Sequence, residues 1–327
     1  MTAPGLAIGL ADIEAAAARL AGHAVRTPLL TSAVLDEAVG ARVFIKPECL
    51  QRTGSFKFRG AYNRLAAMSD GERARGVVAA SSGNHAQGVA EAARLFGVPA
   101  TIVMPQDAPA TKRLRTERSG ARIVAYDRER EDRVAICEAI AAETGAIFVP
   151  PYDDPFVMAG QGTAGLEMAQ DLTALGLRAD AVLVPVSGGG LLSGVATAFA
   201  ALAPAACHPV EPEGFDDTTR SITSGRHEAN AKLAGSLADA LLARTPGQLT
   251  LPILKAHARP GFTAGDADMK AAVAFAAREL KLICEPGGAI ALAALLSGAA
   301  RFSGGTVAIV LSGGNIDDAM LADCLAA

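Results

Sequence analysis

Short apolar runs alternate along most of this chain with longer segments whose apolar positions return every three or four residues. Ile13 to Leu20 predicts a helix with Asp12 as its cap. Arg42 to Lys46 predicts a strand, and Arg59 to Met68 a helix. From Arg75 the alternation becomes regular. Predicted strands at Val77 to Ala80, Ala100 to Met104, Ala121 to Tyr126 and Ala146 to Val149 are separated by helices at Ala86 to Phe96, Ala110 to Ser119 and Glu131 to Glu143, which end at Gly97, Gly120 and Gly145. The second half repeats the rhythm at larger scale. It reads as helix Gly162 to Leu175, strand Ala181 to Val186, helix Leu191 to Leu202 and strand His208 to Val210. A polar, glycine-bearing stretch, Glu211 to Gly235, follows and reads as loop, most plainly at Thr218 to Lys232. Helices at Asp266 to Leu280 and Gly288 to Ser297 and a strand at Thr306 to Leu311 complete the pattern.

Strands alternating with helices of about 10–14 residues require right-handed crossovers and parallel sheets. The expected class is α/β, in two units: residues 75–149 as a small one, residues 1–74 with 150–327 as a large one.

Composition narrows what such a chain binds. At 327 residues and 50% hydrophobic it has enough material for a large core. A formal charge of -4, 4% aromatics and no tryptophan argue against nucleic acid, leaving small molecules as the expected ligands. The five cysteines are scattered and form no C-x-x-C, so neither a disulfide framework nor a zinc site is expected. The first residues lack a basic segment followed by an apolar one, and no apolar run approaches the roughly 18 residues that span a bilayer. A reducing cytoplasm and no membrane association are the expectation.

Chemistry concentrates in a few motifs. In Gly54-Ser55-Phe56-Lys57-Phe58-Arg59-Gly60, a lysine stands between two phenylalanines. Burial of its amine would favour the neutral form that condenses with an aldehyde; the alternative is a stem running past two aromatics with its amine in water. Ser187-Gly188-Gly189-Gly190-Leu191 joins a strand to a helix and offers backbone N–H groups to a phosphate, unless the glycines only let helix pack on strand. Ser82-Gly83-Asn84-His85, also between strand and helix, suits a carboxylate, and Asn84 can hydrogen-bond in the plane of a ring. His85 at a helix start is as well explained as a cap-region residue. Ser312 and Gly313 follow the last strand, and Glu285 leads into a helix. Glu211, Phe215 and Asp217 lie in an acidic turn that suits Mg²⁺ or Ca²⁺ or is simply a set of solvated acids.

Taken together and in this order, these motifs resemble the fold-type II pyridoxal-phosphate enzymes of the threonine/serine dehydratase and serine racemase group, from about Thr27 to Asn315. The resemblance implies a two-domain, tryptophan synthase β-like fold without a regulatory C-terminal domain, and a homodimer. It implies that Lys57 holds pyridoxal phosphate as a Schiff base and then acts as base at the substrate Cα. Phe56 would cover the ring, Asn84 bond its 3-oxygen, Ser187 to Leu191 cradle the phosphate, and Ser312 face the pyridine nitrogen, with Glu285 and Gly313 beside it. Ser82, Gly83, Asn84 and His85 would hold the substrate carboxylate, with Ser82 the acid/base of the opposite face in racemases. Glu211, the Phe215 carbonyl and Asp217 would hold Mg²⁺, Ca²⁺ or Mn²⁺.

The implied reaction is release of a 2-oxo acid and ammonia from a small β-hydroxy amino acid, with L-threonine or L-serine placed first. An arginine near Arg130 would reach a second carboxylate, which puts 3-hydroxyaspartate close behind and serine racemisation alongside. The alternative for Arg130 is a solvated helix start. Ala240, where many members carry glycine, is a departure that bears on the pocket. β-Replacement, a different class on the same fold, is argued against by Phe56 and Phe58.

Overall fold

The computed structural model describes residues 5–81, 83–108, 110–127 and 129–326, with the backbone alone for residues 110–112. Among the described residues nine strands run in chain order: β1 Arg42–Pro47, β2 Val77–Ala80, β3 Ala100–Pro105, β4 Arg122–Tyr126, β5 Ile147–Phe148, β6 Ala181–Pro185, β7 Ala206–Pro212, β8 Phe262–Ala264 and β9 Thr306–Leu311. They form two sheets, ordered β1-β9-β6-β7-β8 and β4-β3-β2-β5. Every pairing within them is parallel.

The larger sheet is apolar on both faces, as a parallel sheet covered by helices must be. Val43, Ile45, Val307, Ile309 and Leu311 face a core shared with helix Pro286–Leu296. The residues between them, Phe44, Ala308 and Val310, face a second core shared with helix Gly190–Leu202. Period-two alternation thus sorts successive residues onto opposite faces, both of which are buried. The smaller sheet draws its strands from residues 77–148, yet helix Lys57–Ala66 packs on it through Phe58, Ala61, Tyr62 and Leu65. Lys57 therefore stands where the two sheets' cores meet.

Two stretches fold differently from the expectation. The helix expected from Gly162 begins at Pro155 and runs to Ala174, opened by the Asp154 side chain, which accepts from the Val157 N–H at 2.9 Å. Its glycines are contact points rather than breaks: a Cβ on Gly165 would lie 2.6 Å from the Val195 Cα. The polar stretch read as loop contains helix Asp217–Ser224, whose first amides are capped from the end of the preceding strand: Glu211 accepts from Thr218 N–H at 2.8 Å and Thr219 N–H at 2.9 Å. Helices Thr250–His257 and Asp318–Ala326 went unpredicted. Among the described residues no helix is long and apolar enough to cross a membrane.

Candidate active site

Strand order decides which motifs meet. β1, β9 and β6 lie side by side, and beyond their carboxyl ends come Lys57, Ser312 and Ser187 respectively. In parallel α/β sheets ligands collect at such ends. Backbone hydrogen bonds tie the segments together. The Phe56 N–H donates to the Ser312 carbonyl at 3.1 Å, the Gly314 N–H to Gly54 at 2.8 Å, and the Glu285 N–H to Gly313 at 3.1 Å. From the other sheet, the end of β2 supplies Ser81 and Gly83 to His85.

Between them is a cavity of about 210 Å³. Of the residues singled out in the sequence, Phe56, Lys57, Gly83, Asn84 and His85 line it, as do Ser187 to Leu191, Glu285 and Ser312. Gly313 lies behind the wall, with Glu285 Oε1 against its α-carbon. Ser82 lies outside the described residues.

The Lys57 amine donates to the Pro151 carbonyl at 2.7 Å and sits 5.1 Å from the Phe56 ring centre. Burial lowers its pKa to about 8, so the neutral form is accessible near physiological pH. His85 is buried, and its Nε2–H donates to the Val149 carbonyl at 2.9 Å. Burial, reinforced by the charge of Lys57, pushes the imidazole down to about 3, so it stays neutral and is no acid at pH 7. The Asn84 amide is held at both ends: Nδ2 donates to Glu285 Oε1 at 2.6 Å, and Oδ1 accepts from Asn315 Nδ2 at 2.7 Å.

The glycine-rich turn opens helix Gly190–Leu202, whose first-turn amides have no acceptor within the helix. Gly188 has the Tyr152 ring against its α-carbon, so any side chain there would displace that ring. The Ser187 hydroxyl accepts from the Ala243 N–H at 3.1 Å, which ties the turn to the loop carrying Ala240.

Arg130 is a correction. Its side chain is 85% exposed, it pairs with the Asp127 carboxylate at 3.8 Å, and it does not line the cavity. Arg133 does. The turn after β4 directs Arg130 to solvent, whereas Arg133 opens helix Arg133–Thr144 facing the cleft. Its charge is felt there, opposing protonation of His85 and favouring ionisation of the Tyr152 phenol. A cation at a helix N-terminus works against the helix dipole by about 0.3–1 kcal/mol, so this position is not one that helix stability selects.

The sequence reading did not single out Tyr152, the Pro151 carbonyl or Arg133. Tyr152 follows a plain Pro-Pro pair with no motif around it. Arg133 belongs to the charged run 127–133, in which residue type alone does not say which arginine faces inward.

The acidic candidates lie next to the glycine-rich turn, where the Thr218 hydroxyl donates to the Ser187 carbonyl at 3.3 Å. Burial pushes Glu211 up to about 7; burial and the Glu211 charge do the same to Asp217. Asp217 Oδ1 accepts from Asn230 Nδ2 at 2.5 Å, while Oδ2 is buried without a partner. Among the described residues no three His, Cys, Asp or Glu side chains cluster as metal ligands would.

The family model described as "Pyridoxal-phosphate dependent enzyme" matches residues 20–313, and the chain belongs to this family. It is 45% identical over 307 residues to an L-threo-3-hydroxyaspartate ammonia-lyase of Pseudomonas sp, covering 94% of this chain and 95% of that one. It is 42% identical over 315 residues to an L-threonine ammonia-lyase of Thermotoga maritima, covering 96% of this chain and 77% of that protein. Among solved structures, maize serine racemase superposes with a TM-score of 0.90 at 36% identity, covering 98% and 97% of the two chains. The fold is therefore that of the fold-type II enzymes, as the motifs led us to expect.

The cleft fits pyridoxal phosphate on its own chemistry. It holds a primary amine with a lowered pKa, a turn of free helix-start amides for a phosphate, and an amide at Asn84 fixed by its own hydrogen bonds. Tyr152 and Phe56 supply apolar walls.

Proposed function

We propose that this chain is a pyridoxal-phosphate-dependent ammonia-lyase that converts a small β-hydroxy amino acid to a 2-oxo acid and ammonia. The observation that carries the reading is the Lys57 amine, buried and easily deprotonated, in one cavity with an anion-binding helix start. The relatives named above support the lyase assignment.

The bound cofactor supplies an electron sink that acidifies the Cα proton and lets the β-hydroxyl leave. Lys57 would hold the cofactor, and its amine would serve as the base for the Cα proton. The Pro151 carbonyl, already accepting from its amine, is placed to receive the ammonium that results. The helix-start amides of Gly190 and Leu191 bind the phosphate. Asn84, oriented by Glu285 and Asn315, would bond the ring oxygen, and Ser312 would serve the ring nitrogen. The amides at Gly83 to His85, where helix Asn84–Phe96 begins, take the substrate carboxylate. Closure of the unit built on β2 to β5 would exclude water around these groups.

Arg133 favours a diacid among the candidates. It makes no ion pair among the described residues and borders the cavity, so a second substrate carboxylate has a partner there. We therefore place 3-hydroxyaspartate beside L-threonine and L-serine. The test is 2-oxo acid release from the cofactor-loaded protein with L-threonine, L-serine and the diastereomers of 3-hydroxyaspartate, compared as kcat/KM. A preference for 3-hydroxyaspartate is expected; a preference for threonine removes the role given to Arg133, and no release from any substrate removes the lyase reading.

Three finer readings belong with this one. A divalent cation held by Glu211, Asp217 and the Phe215 carbonyl is supported by the unpartnered Asp217 oxygen. A homodimer is supported by the family resemblance. A cytoplasmic location is supported by five cysteines that are all free thiols.

A further inference from the structure

Two of the free thiols, far apart in the sequence, are neighbours in the fold. Cys49 lies in the turn Glu48–Leu50 that follows β1, and Cys284 immediately precedes Glu285 and helix Pro286–Leu296. Their thiols are close enough for each to perturb the other. Gly314 marks the closeness: a Cβ there would be 3.0 Å from the Cys49 Cβ, with the carbonyl of Ile283, the residue before Cys284, against its other side. Both cysteines pack into the same apolar cluster of the large sheet.

Each sits beside a residue of the site's framework. Glu48, next to Cys49, accepts from Arg59 Nε at 2.8 Å and so anchors the helix that starts at Lys57. Glu285, next to Cys284, accepts from Asn84 at 2.6 Å. Cys284 is wholly buried, but Cys49 is partly exposed, so a small oxidant reaches Cys49 first. The neighbouring Cys284 draws the Cys49 thiol below its usual range; Cys49, together with burial, raises Cys284 well above it. A readily ionised thiol next to one that keeps its proton is the arrangement in which attack and resolution fall to different sulfurs.

We propose that Cys49 and Cys284 form an oxidative modification site, closing into a reversible intramolecular disulfide that shifts Glu285 and loosens the hold on the cofactor. With hydrogen peroxide as oxidant, the Cys49 sulfur attacks one peroxide oxygen. The O–O bond breaks, and the departing hydroxide takes a proton and leaves as water. The Cys284 sulfur then displaces the oxygen on Cys49 as a second water, forming the S–S bond. Two thiols lose two electrons and two protons in all, and the peroxide becomes two waters. A bonded pair holds its Cβ atoms about 3.8 Å apart, so closure fixes the Glu48 turn to the Glu285 loop at that spacing. A dithiol reverses it by exchange.

The experiment treats the cofactor-loaded protein with hydrogen peroxide, alkylates it in denaturant with N-ethylmaleimide and counts adducts by intact mass. Untreated protein has five cysteines to alkylate; oxidised protein is expected to show the five less the bonded pair, three, with no covalent dimer. Digestion is expected to yield a peptide cross-linked through Cys49 and Cys284, and dithiothreitol to restore all five adducts. Cofactor retained through gel filtration is expected to fall several-fold on oxidation and to recover on reduction. Cys49→Ser, a change at the partly exposed partner, is expected to leave both adduct count and cofactor retention indifferent to peroxide. Five adducts after peroxide, or an oxygen adduct on Cys49 with no cross-link, overturns the site. A cross-link with unchanged cofactor retention overturns its coupling to the cleft.

Discussion

Asn84 and Glu285, which come from different sheets' connections, join across the cleft through a 2.6 Å hydrogen bond from Nδ2 to Oε1. An amide NH₂ has two donors, so with one spent on Glu285 and Oδ1 accepting from Asn315, the other N–H has a fixed direction. The pair therefore orients the donor that we assign to the cofactor's ring oxygen.

Replacing Glu285 with Ala should free that amide and weaken cofactor binding. Hydrogen bonds to charged groups contribute about 1.5–3 kcal/mol, a loss of roughly 10- to 150-fold in affinity. Titration of the cofactor-free protein by its visible absorbance measures this, and Glu285→Gln, which keeps an acceptor, should recover most of it. An unchanged affinity in the alanine variant would detach the pair from cofactor binding.

Lys57→Ala should abolish both turnover and the cofactor's lysine-dependent visible absorbance; a persisting band would mean that another lysine captures it. In the cofactor-free wild type, capture of added pyridoxal phosphate should accelerate with pH and level off above about 8, because the amine's pKa is drawn down from 10.5. The sign for stability follows. The unfolded chain holds this proton up to its higher pKa, so burial of the charge costs stability below pH 8 and is relieved as pH rises from 8 towards 10.5. Capture that keeps accelerating to pH 10 would show an exposed amine.

Arg59, two residues past Lys57, is fully buried. It bonds Glu48 through Nε at 2.8 Å and Nη2 at 2.9 Å, and Glu167 through Nη1 at 2.7 Å. Lys46 also donates to Glu167, at 2.6 Å. Arg59→Met should strand the Glu48 carboxylate and cost about 3–5 kcal/mol, read as a lowered midpoint in denaturant unfolding. A shift below 1 kcal/mol would mean that water replaces the arginine.

Arg133→Ala should lower kcat/KM for 3-hydroxyaspartate by at least tenfold while changing that for L-serine little, since only the diacid has the second carboxylate. Arg130→Ala should affect neither. Equal losses on both substrates would make Arg133 a structural cation.

Chelation with EDTA should lower the unfolding temperature, and Mg²⁺ should restore it, if Asp217 and Glu211 hold a cation. Asp217→Asn should abolish that response. A wild-type protein indifferent to EDTA would leave the two carboxyls as a buried, proton-holding pair.

The sequence by itself determined the parallel α/β class and the motifs of the cleft. Alternating strand and helix periods admit few topologies, and a lysine between aromatics or a glycine run at a helix start carries its chemistry in residue type. It misread residues 217–224 as loop because the stretch is polar and the helix start is capped by the Glu211 side chain, whose inward direction residue type alone does not show. It started the helix of residues 155–174 late because glycine, a breaker by local propensity, serves there for close helix packing. It chose Arg130 over Arg133 because the two differ only in direction from the backbone, which the turn after β4 sets. Only the tertiary structure decided these points, and it alone joined Cys49 to Cys284. Direction and long-range contact follow from how β1, β9 and β6 lie side by side, which no local pattern encodes.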